Sequence, residues 1–180
     1  QDIETWLRSN ENIHMVVVGD SNLAATLPRG QVEAHPLLSY PSYRKLLRSC
    51  QIALMPLERS LPNSCKTPIK LLECAAESVA TISGPELYYK QAISGISVYA
   101  KQLSEMIPLA AKLANDVSSR LALVRKSHGW AISEMSLMKN LPYRHWIYKS
   151  LWKSRLQLDN QLQKRFADSS FAFPKNSFTI

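Results

Sequence analysis

The amino-acid sequence predicts an α/β fold, an open parallel sheet with helices on both faces, followed by a C-terminal helical extension. Three observations carry that expectation. Residues 13–19 (IHMVVVG), 52–55 (IALM) and 79–82 (VATI) are short apolar runs, each bounded by turn residues. Runs that do not alternate suit parallel strands covered on both faces. Helical stretches separate them up to about residue 100, and beyond Lys101 the pattern is helix only.

In chain order, residues 2–10 read as the tail of a helix, followed by a polar turn over 9–12. Residues 13–19 form a buried strand rich in β-branched side chains, with His14 inside it. Gly19-Asp20-Ser21 turns the chain, and a strand about Val32-Glu33-Ala34 is closed by Pro36. Residues 42–50 form a short amphipathic helix, with Tyr43, Leu46, Leu47 and Cys50 on one face and Arg44, Lys45 and Arg48 on the other. The 52–55 strand stops at Pro56 and leads into a polar loop with two prolines. Thr67 is then a candidate N-cap, with Pro68 at the first helical position, where its missing N–H costs nothing. The 79–82 strand ends at Ser83-Gly84-Pro85. A short helix over 87–93 and an edge strand over 96–99 follow. Three further helices are expected at 103–115, 118–138 and 143–166, then a flexible tail. The organisation is thus a Rossmann-like core over 1–100, a helical extension over 101–168, and a tail over 169–180.

Composition bounds the possibilities. With 180 residues, 46% hydrophobic and 20% charged, the chain is an ordinary globular protein rather than a disordered one. No stretch approaches the roughly 18 apolar residues of a membrane span. A start on Gln without Met reads as an excised fragment. The cysteines Cys50, Cys65 and Cys74 are odd in number and lack metal-ligand spacing, so they read as reduced thiols of an intracellular protein. The net charge of +8 is concentrated late: between Arg120 and Arg165 ten lysines or arginines face two acids, Glu134 and Asp159. In that region Trp146, Tyr148 and Trp152 interleave with Arg144, Lys149, Lys153 and Arg155. Two readings stand side by side, a helix lying on an anionic membrane and a helix packed against another domain with its lysines snorkelling. No nucleic-acid-binding motif accompanies the charge.

Chemistry shows at the start of the helix that follows Thr67. A helix N-terminus favours anions, yet Lys66 precedes the cap and Lys70 lies in the first turn, each costing about 0.3–1 kcal/mol. Two lysines beside free backbone N–H groups can seat a phosphate. Glu73, three residues after Lys70, shares its face and could accept hydrogen bonds from ribose hydroxyls. A solvated Lys70–Glu73 ion pair is the bland alternative, and spacing alone favours it. With five glycines in all, neither a dinucleotide fingerprint nor a Walker loop is present. The four histidines lack metal spacing, and Ser83 and Ser94 read as turn residues rather than nucleophiles. Ligands on such sheets sit beyond the carboxyl ends of the strands, where Pro56, Lys66, Lys70 and the Gly84 turn should cluster.

Residues 40–85 resemble the C-terminal, nucleotide-sugar-binding domain of GT-B-fold, group-1-type retaining glycosyltransferases. The family pattern is a helix ending near Tyr…Leu-Leu, then Asp-Ile-Ala-Leu-x-Pro-Leu, a loop with Asn-x-x-Lys-x-x-x-Lys-x-x-Glu, and an apolar strand stopped by Ser or Gly. Here these appear as Tyr43 to Leu47, Gln51 to Leu57, Asn63 to Lys66 and Lys70 to Glu73, and Val79 to Ser83. Asp116-Val117-Ser118-Ser119-Arg120 resembles the family's Asp-x-x-x-Arg. The likeness covers about residues 13–125.

What the resemblance implies is specific. Lys66 and Lys70, with the Thr67 backbone, would contact diphosphate or sugar and carry the catalytic charge stabilisation. Glu73 would bind the ribose, Pro36, Leu37 and Leu38 would lie near the base, and Cys65, Ser83 and Gly84 would complete the donor site. Cys65 stands where the family often has a second Glu, and Gln51 where Asp is usual. The implied protein is the donor-binding half of a bacterial, hexosyltransferase-like enzyme of polysaccharide biosynthesis. It would move a sugar from a UDP or GDP sugar to a glycan or lipid-linked acceptor without metal or cofactor. The domain's expected first strand, its basic phosphate loop and the N-terminal acceptor domain would lie outside this chain, leaving the fragment inactive alone. The setting implied is cytoplasmic or peripheral on the inner face of the membrane. The rival expectation is a catalytically silent Rossmann-like module that binds a partner or an anionic membrane through its basic C-terminal helices. A dinucleotide-dependent oxidoreductase is disfavoured by the missing glycines.

Overall fold

A computed structural model describes residues 2–86 and 88–165. The chain divides into two units, Gln1–Ser136 and Leu137–Ile180.

In the first unit, helix α1 (Ile3–Arg8) is capped by Asp2, whose carboxylate accepts the Thr5 N–H at 2.7 Å, and it buries Trp6 and Leu7. Strand β1 (Met15–Val18), helix α2 (Ser21–Thr26) and strand β2 (Val32–His35) follow. Helix α3 (Tyr40–Ser49) leads to strand β3 (Ile52–Met55), and a short helix α4 (Leu61–Ser64) precedes α5 (Ile69–Ala76). Strand β4 (Ala80–Ser83), helix α6 (Tyr89–Ile93) and strand β5 (Val98–Tyr99) come next. A 3₁₀ turn (Leu103–Glu105), helix α7 (Met106–Asn115) and helix α8 (Val117–Ser133) complete the unit.

The strands form two parallel sheets, β1–β2 and β3–β4–β5. One core lies beneath both. Trp6 and Leu7 of α1, Val17 of β1, Ile82 of β4 and Met106 and Ala110 of α7 belong to a single buried cluster. The opposite face is covered by α3 and α5 through Leu47, Leu71 and Cys74, packed with Met55, Val79 and Tyr88. Helices therefore cover both faces of a Rossmann-like layer, as the non-alternating runs predict.

The junction of α7 and α8 holds itself. Asp116 accepts the Ser119 N–H at 2.9 Å, while the Arg120 guanidinium donates to the Leu113 and Ala114 carbonyls at 2.9 and 2.8 Å. One residue caps the incoming helix and the other the outgoing one. Both α7 and α8 pack on the sheet-bearing unit, so the helical region expected from residue 101 is divided between the units.

Several local expectations are corrected. Gly19-Asp20-Ser21 is not merely a turn: Asp20 accepts the Leu23 N–H and starts α2. Pro68, not Thr67, occupies the N-cap of α5, and no side chain caps that helix. His14 precedes β1 and is exposed. Full burial holds for β4, whereas in β1 only Val17 and in β3 only Met55 is buried, because a cleft runs beside these two strands. The 118–138 helix ends at Ser133, and the 143–166 helix is two, α9 (Leu137–Lys153) and α10 (Arg155–Arg165), within the second unit. The tail expected over 169–180 lies outside the described residues.

In the second unit no described residue of α9 or α10 is buried. Tyr143 stacks on Trp146 with ring centroids 5.8 Å apart, and the Arg155 guanidinium lies 4.5 Å over the Trp152 ring. Apolar and basic side chains are mixed around α9 rather than sorted onto opposite faces. No described helix is long and apolar enough to cross a membrane.

Candidate functional site

The residues that point to function gather at the start of α5. The Lys70 ammonium lies 3.1 Å from Glu73 Oε2 and 4.4 Å from the centroid of the Tyr43 ring. Helical spacing brings Lys70 and Glu73 to one face, and packing of α3 on α5 brings Tyr43. The two charges are not equally wet. The Lys70 side chain is 58% exposed and that of Glu73 only 10%. Glu73 Oε2 is buried and accepts no hydrogen bond of good geometry, and the Lys70 ammonium 3.1 Å away offsets part of its desolvation. Burial pushes the Tyr43 phenol far above its ordinary pKa, with the neighbouring Cys74 and Glu73 adding to the effect. The pair is thus a carboxylate sunk between α3 and α5 beneath an exposed cation, which differs from the solvated pair that spacing alone favours.

The backbone N–H groups at the start of α5 have no capping side chain. Lys66 and Thr67 precede them and are exposed, and neither side chain makes a hydrogen bond or ion pair among the described residues. Cys65 is exposed on the same loop. A helix start with unclaimed donors and two solvent-facing lysines is chemically suited to an anion.

Ser83 and Gly84 form a second group, at the carboxyl ends of β3 and β4. The Gly84 N–H donates to the Met55 carbonyl at 2.8 Å. A Cβ on Gly84 would lie 2.8 Å from Leu57 N and O and 3.0 Å from Met55 O, so only glycine fits this approach. The Ser83 hydroxyl is fully buried, 2.9 Å from the Ser97 hydroxyl and 3.2 Å from the Val98 carbonyl to which it donates. Its side chain is committed to the sheet.

The third group lies beyond β1 and β2. Leu37 is 87% exposed, yet its side chain crosses Gly19: a Cβ there would lie 2.9 Å from Leu37 Cδ2. Gly19 has φ +79, which favours glycine independently. Pro36 is exposed and Leu38 half-buried. No hydrogen bond or ion pair among the described residues joins this group to the other two.

Sequence reasoning missed two partners. Tyr43 enters the sequence reading as part of the apolar face of α3 and of the Tyr…Leu-Leu element, although a phenol among Leu46, Leu47 and Cys50 needs a polar neighbour. Glu77 was not singled out. It is buried at the end of α5 and accepts from both Arg44 and Arg48, the latter at 2.7 Å. The signal is two arginines four apart on the face opposite the apolar one. The Arg48 hydrogen bond holds the Glu77 carboxyl below its ordinary pKa despite burial, and Arg44 assists. Among the described residues no group of three or more His, Cys, Asp or Glu is placed to hold a metal ion.

No family model matches the chain, and no curated protein does. The fold is matched by a solved structure. A crystal structure of WaaG, a glycosyltransferase involved in lipopolysaccharide biosynthesis, superposes with a TM-score of 0.50 over 79% of this chain, at 13% identity. The chain is similar to that glycosyltransferase in its fold. It spans about half of the WaaG chain, 49%.

Proposed function

We propose that this chain is the donor-binding half of a glycosyltransferase that moves a sugar from a nucleoside-diphosphate sugar to a glycan or lipid-linked acceptor. The Lys70–Glu73–Tyr43 cluster at the uncapped start of α5 carries the proposal, and the fold shared with a glycosyltransferase supports it. Lys66, Lys70 and the N–H groups after Pro68 would hold the diphosphate and stabilise the negative charge that grows on it as the glycosidic bond to the donor breaks. Lys70 would leave Glu73 for the phosphate, freeing the carboxylate to accept hydrogen bonds from the ribose hydroxyls. Pro36, Leu37 and Leu38 would line the base, and Gly84 would admit the donor close to the backbone. Ser83 would contribute its backbone only, since its hydroxyl is bonded within the sheet. Cys65 would face the sugar without the charge of a carboxylate. Retention of anomeric configuration, a hexosyl donor, the absence of a metal and action beside an acceptor domain at the cytoplasmic face of a bacterial membrane belong to the same proposal.

Calorimetric titration with UDP, GDP, ADP and the corresponding monophosphates tests it. Binding of one diphosphate that is weakened in Lys70→Ala and Glu73→Ala is the expected result. Heat that is unchanged in both variants would reject the site.

A second reading rests on a separate observation, the exposed Trp146 and Trp152 among Arg144, Lys149, Lys153 and Arg155. Under it the module is catalytically silent and binds a partner or an anionic membrane through α9 and α10. The mixed rather than two-faced distribution on α9 weighs against a helix lying flat on lipid. Co-sedimentation with liposomes that does not respond to anionic lipid would remove the membrane version.

A further inference from the structure

The Lys70 ammonium is already engaged. It rests against two groups at once, 3.1 Å from Glu73 Oε2 and 4.4 Å from the centroid of the Tyr43 ring. Both contacts oppose its departure. The face of a phenol ring attracts a cation, more strongly as water is excluded. The carboxylate is largely sheltered, and its buried Oε2 accepts no hydrogen bond. Among the described residues Glu73 makes no ion pair except with Lys70. The nearest arginines of α3, Arg44 and Arg48, are bound to Glu77 instead.

Lys66 is the contrast. It is exposed on the loop ahead of α5, with no hydrogen bond or ion pair among the described residues. An anion recruits Lys66 without taking it from anything. The backbone donors are equally unencumbered. The first main-chain bond of α5 runs from the Leu72 N–H to the Pro68 carbonyl at 3.1 Å, so the N–H groups of Ile69 and Lys70 lie ahead of the ladder. Lys70 alone must be dislodged, from Tyr43 and Glu73 together.

One ammonium thus ties two events. While Lys70 is seated, a ribose hydroxyl must compete with a cation for Glu73. Once Lys70 has moved to a phosphate, the same buried oxygen is left without a partner, and a hydroxyl supplies the donor it lacks. Anion and ribose therefore bind with positive coupling, and by linkage each raises the affinity for the other by the same factor.

Resting on the donor-site reading above, we propose that Tyr43 and Glu73 form a resting seat for the Lys70 ammonium. The seat closes the ribose site to free nucleosides until an anion of diphosphate charge draws the ammonium away. Tyr43 is a positioning residue that acts through Lys70. The hold of its ring face on the cation sets how strongly an anion must pull.

NMR titration of the 180-residue chain with uridine, guanosine and adenosine, each alone and in saturating inorganic diphosphate, tests the coupling. Diphosphate should raise the affinity for one nucleoside about ten-fold. Lys70→Met should weaken inorganic diphosphate, yet bring the affinity for that nucleoside alone up to the level of the diphosphate-loaded wild type. Lys66→Met should weaken diphosphate without raising nucleoside affinity. A rise equal to that in Lys70→Met would overturn the seat, because the effect would then belong to any nearby charge. Tyr43→Leu removes the ring face and should tighten inorganic diphosphate by about two- to five-fold. Tyr43→Phe keeps the face and should restore wild-type affinity. Weaker or unchanged diphosphate binding in Tyr43→Leu would overturn the role of Tyr43. The wild-type comparison needs no variant, so it decides even where Tyr43→Leu fails to fold. Nucleoside binding no stronger in diphosphate, in a chain that binds UDP, GDP or ADP, overturns the resting seat and leaves the donor site standing. Failure of all three nucleoside diphosphates to bind overturns both.

Discussion

Lys70 and Glu73 form an ion pair of unequal members, an exposed ammonium 3.1 Å from a buried carboxylate oxygen. Under the proposed function this carboxylate accepts the ribose hydroxyls once the cation moves to the phosphate. Glu73→Ala is expected to lower affinity for the bound nucleoside diphosphate by about 1.5–3 kcal/mol, the range for a hydrogen bond to a charged group. Calorimetric titration of the variant reads this directly, and an unchanged affinity removes the ribose role.

Gly84 approaches Leu57 too closely for any side chain. The atoms in the way are backbone, so relief requires the two strand ends to part. Gly84→Ala should destabilise the chain by about 1–3 kcal/mol, as overpacking does in a close-packed region. Urea unfolding monitored by tryptophan fluorescence should show the midpoint fall.

Glu77 links the end of α5 to α3 through Arg44 and Arg48. Its pKa is lower folded than unfolded, so the stability it contributes is present above the ordinary carboxylate pKa and lost as pH falls through the folded value. Both arginines are partly exposed and screened, which keeps the expected loss in Glu77→Gln to about 1–2 kcal/mol at neutral pH. The gap between wild type and variant should close on acidification. A gap that persists at low pH would assign the effect to packing rather than charge.

Asp116 is held down to about 2 by hydrogen bonds from Ser119 and then Ser118. Its contribution is present above the ordinary value of 3.8 and fades as pH falls towards about 2. Asparagine keeps the capping geometry without the charge. Asp116→Asn should therefore flatten the acid limb of the stability profile over that interval, with little change in helix content by circular dichroism.

Much of this was legible in the residues. The 79–82 run is covered on both faces, and its β4 strand is buried at every position. The face shared by Tyr43, Leu46, Leu47 and Cys50 does turn inward in α3. The run in β1 looks the same on paper, yet its outer residues border a cleft. Hydrophobic periodicity reports the faces of a strand and is silent about its edges, which are backbone. The start of α5 slipped by one residue because Pro68 itself took the cap position, with φ −78 and ψ 41. Short helices such as α2 and α4 span too few turns for a period to register. Around Glu73 the spacing to Lys70 was readable, but its burial under Tyr43 comes from a helix some thirty residues earlier and so had no local signature.

The three free thiols sit at three depths, Cys65 exposed, Cys50 half-buried and Cys74 on the buried face of α5. Burial also pushes the Cys74 thiol up to about 12 and raises that of Cys50, which starves both of the reactive thiolate. A small alkylating reagent at neutral pH thus meets them in the order Cys65, Cys50, Cys74. The lag before the last is a clock for α5 lifting from the sheet, and a ligand held at the start of that helix would slow the clock and shield Cys65 on the adjoining loop as well. The chain carries its own probe of local opening, readable by mass alone.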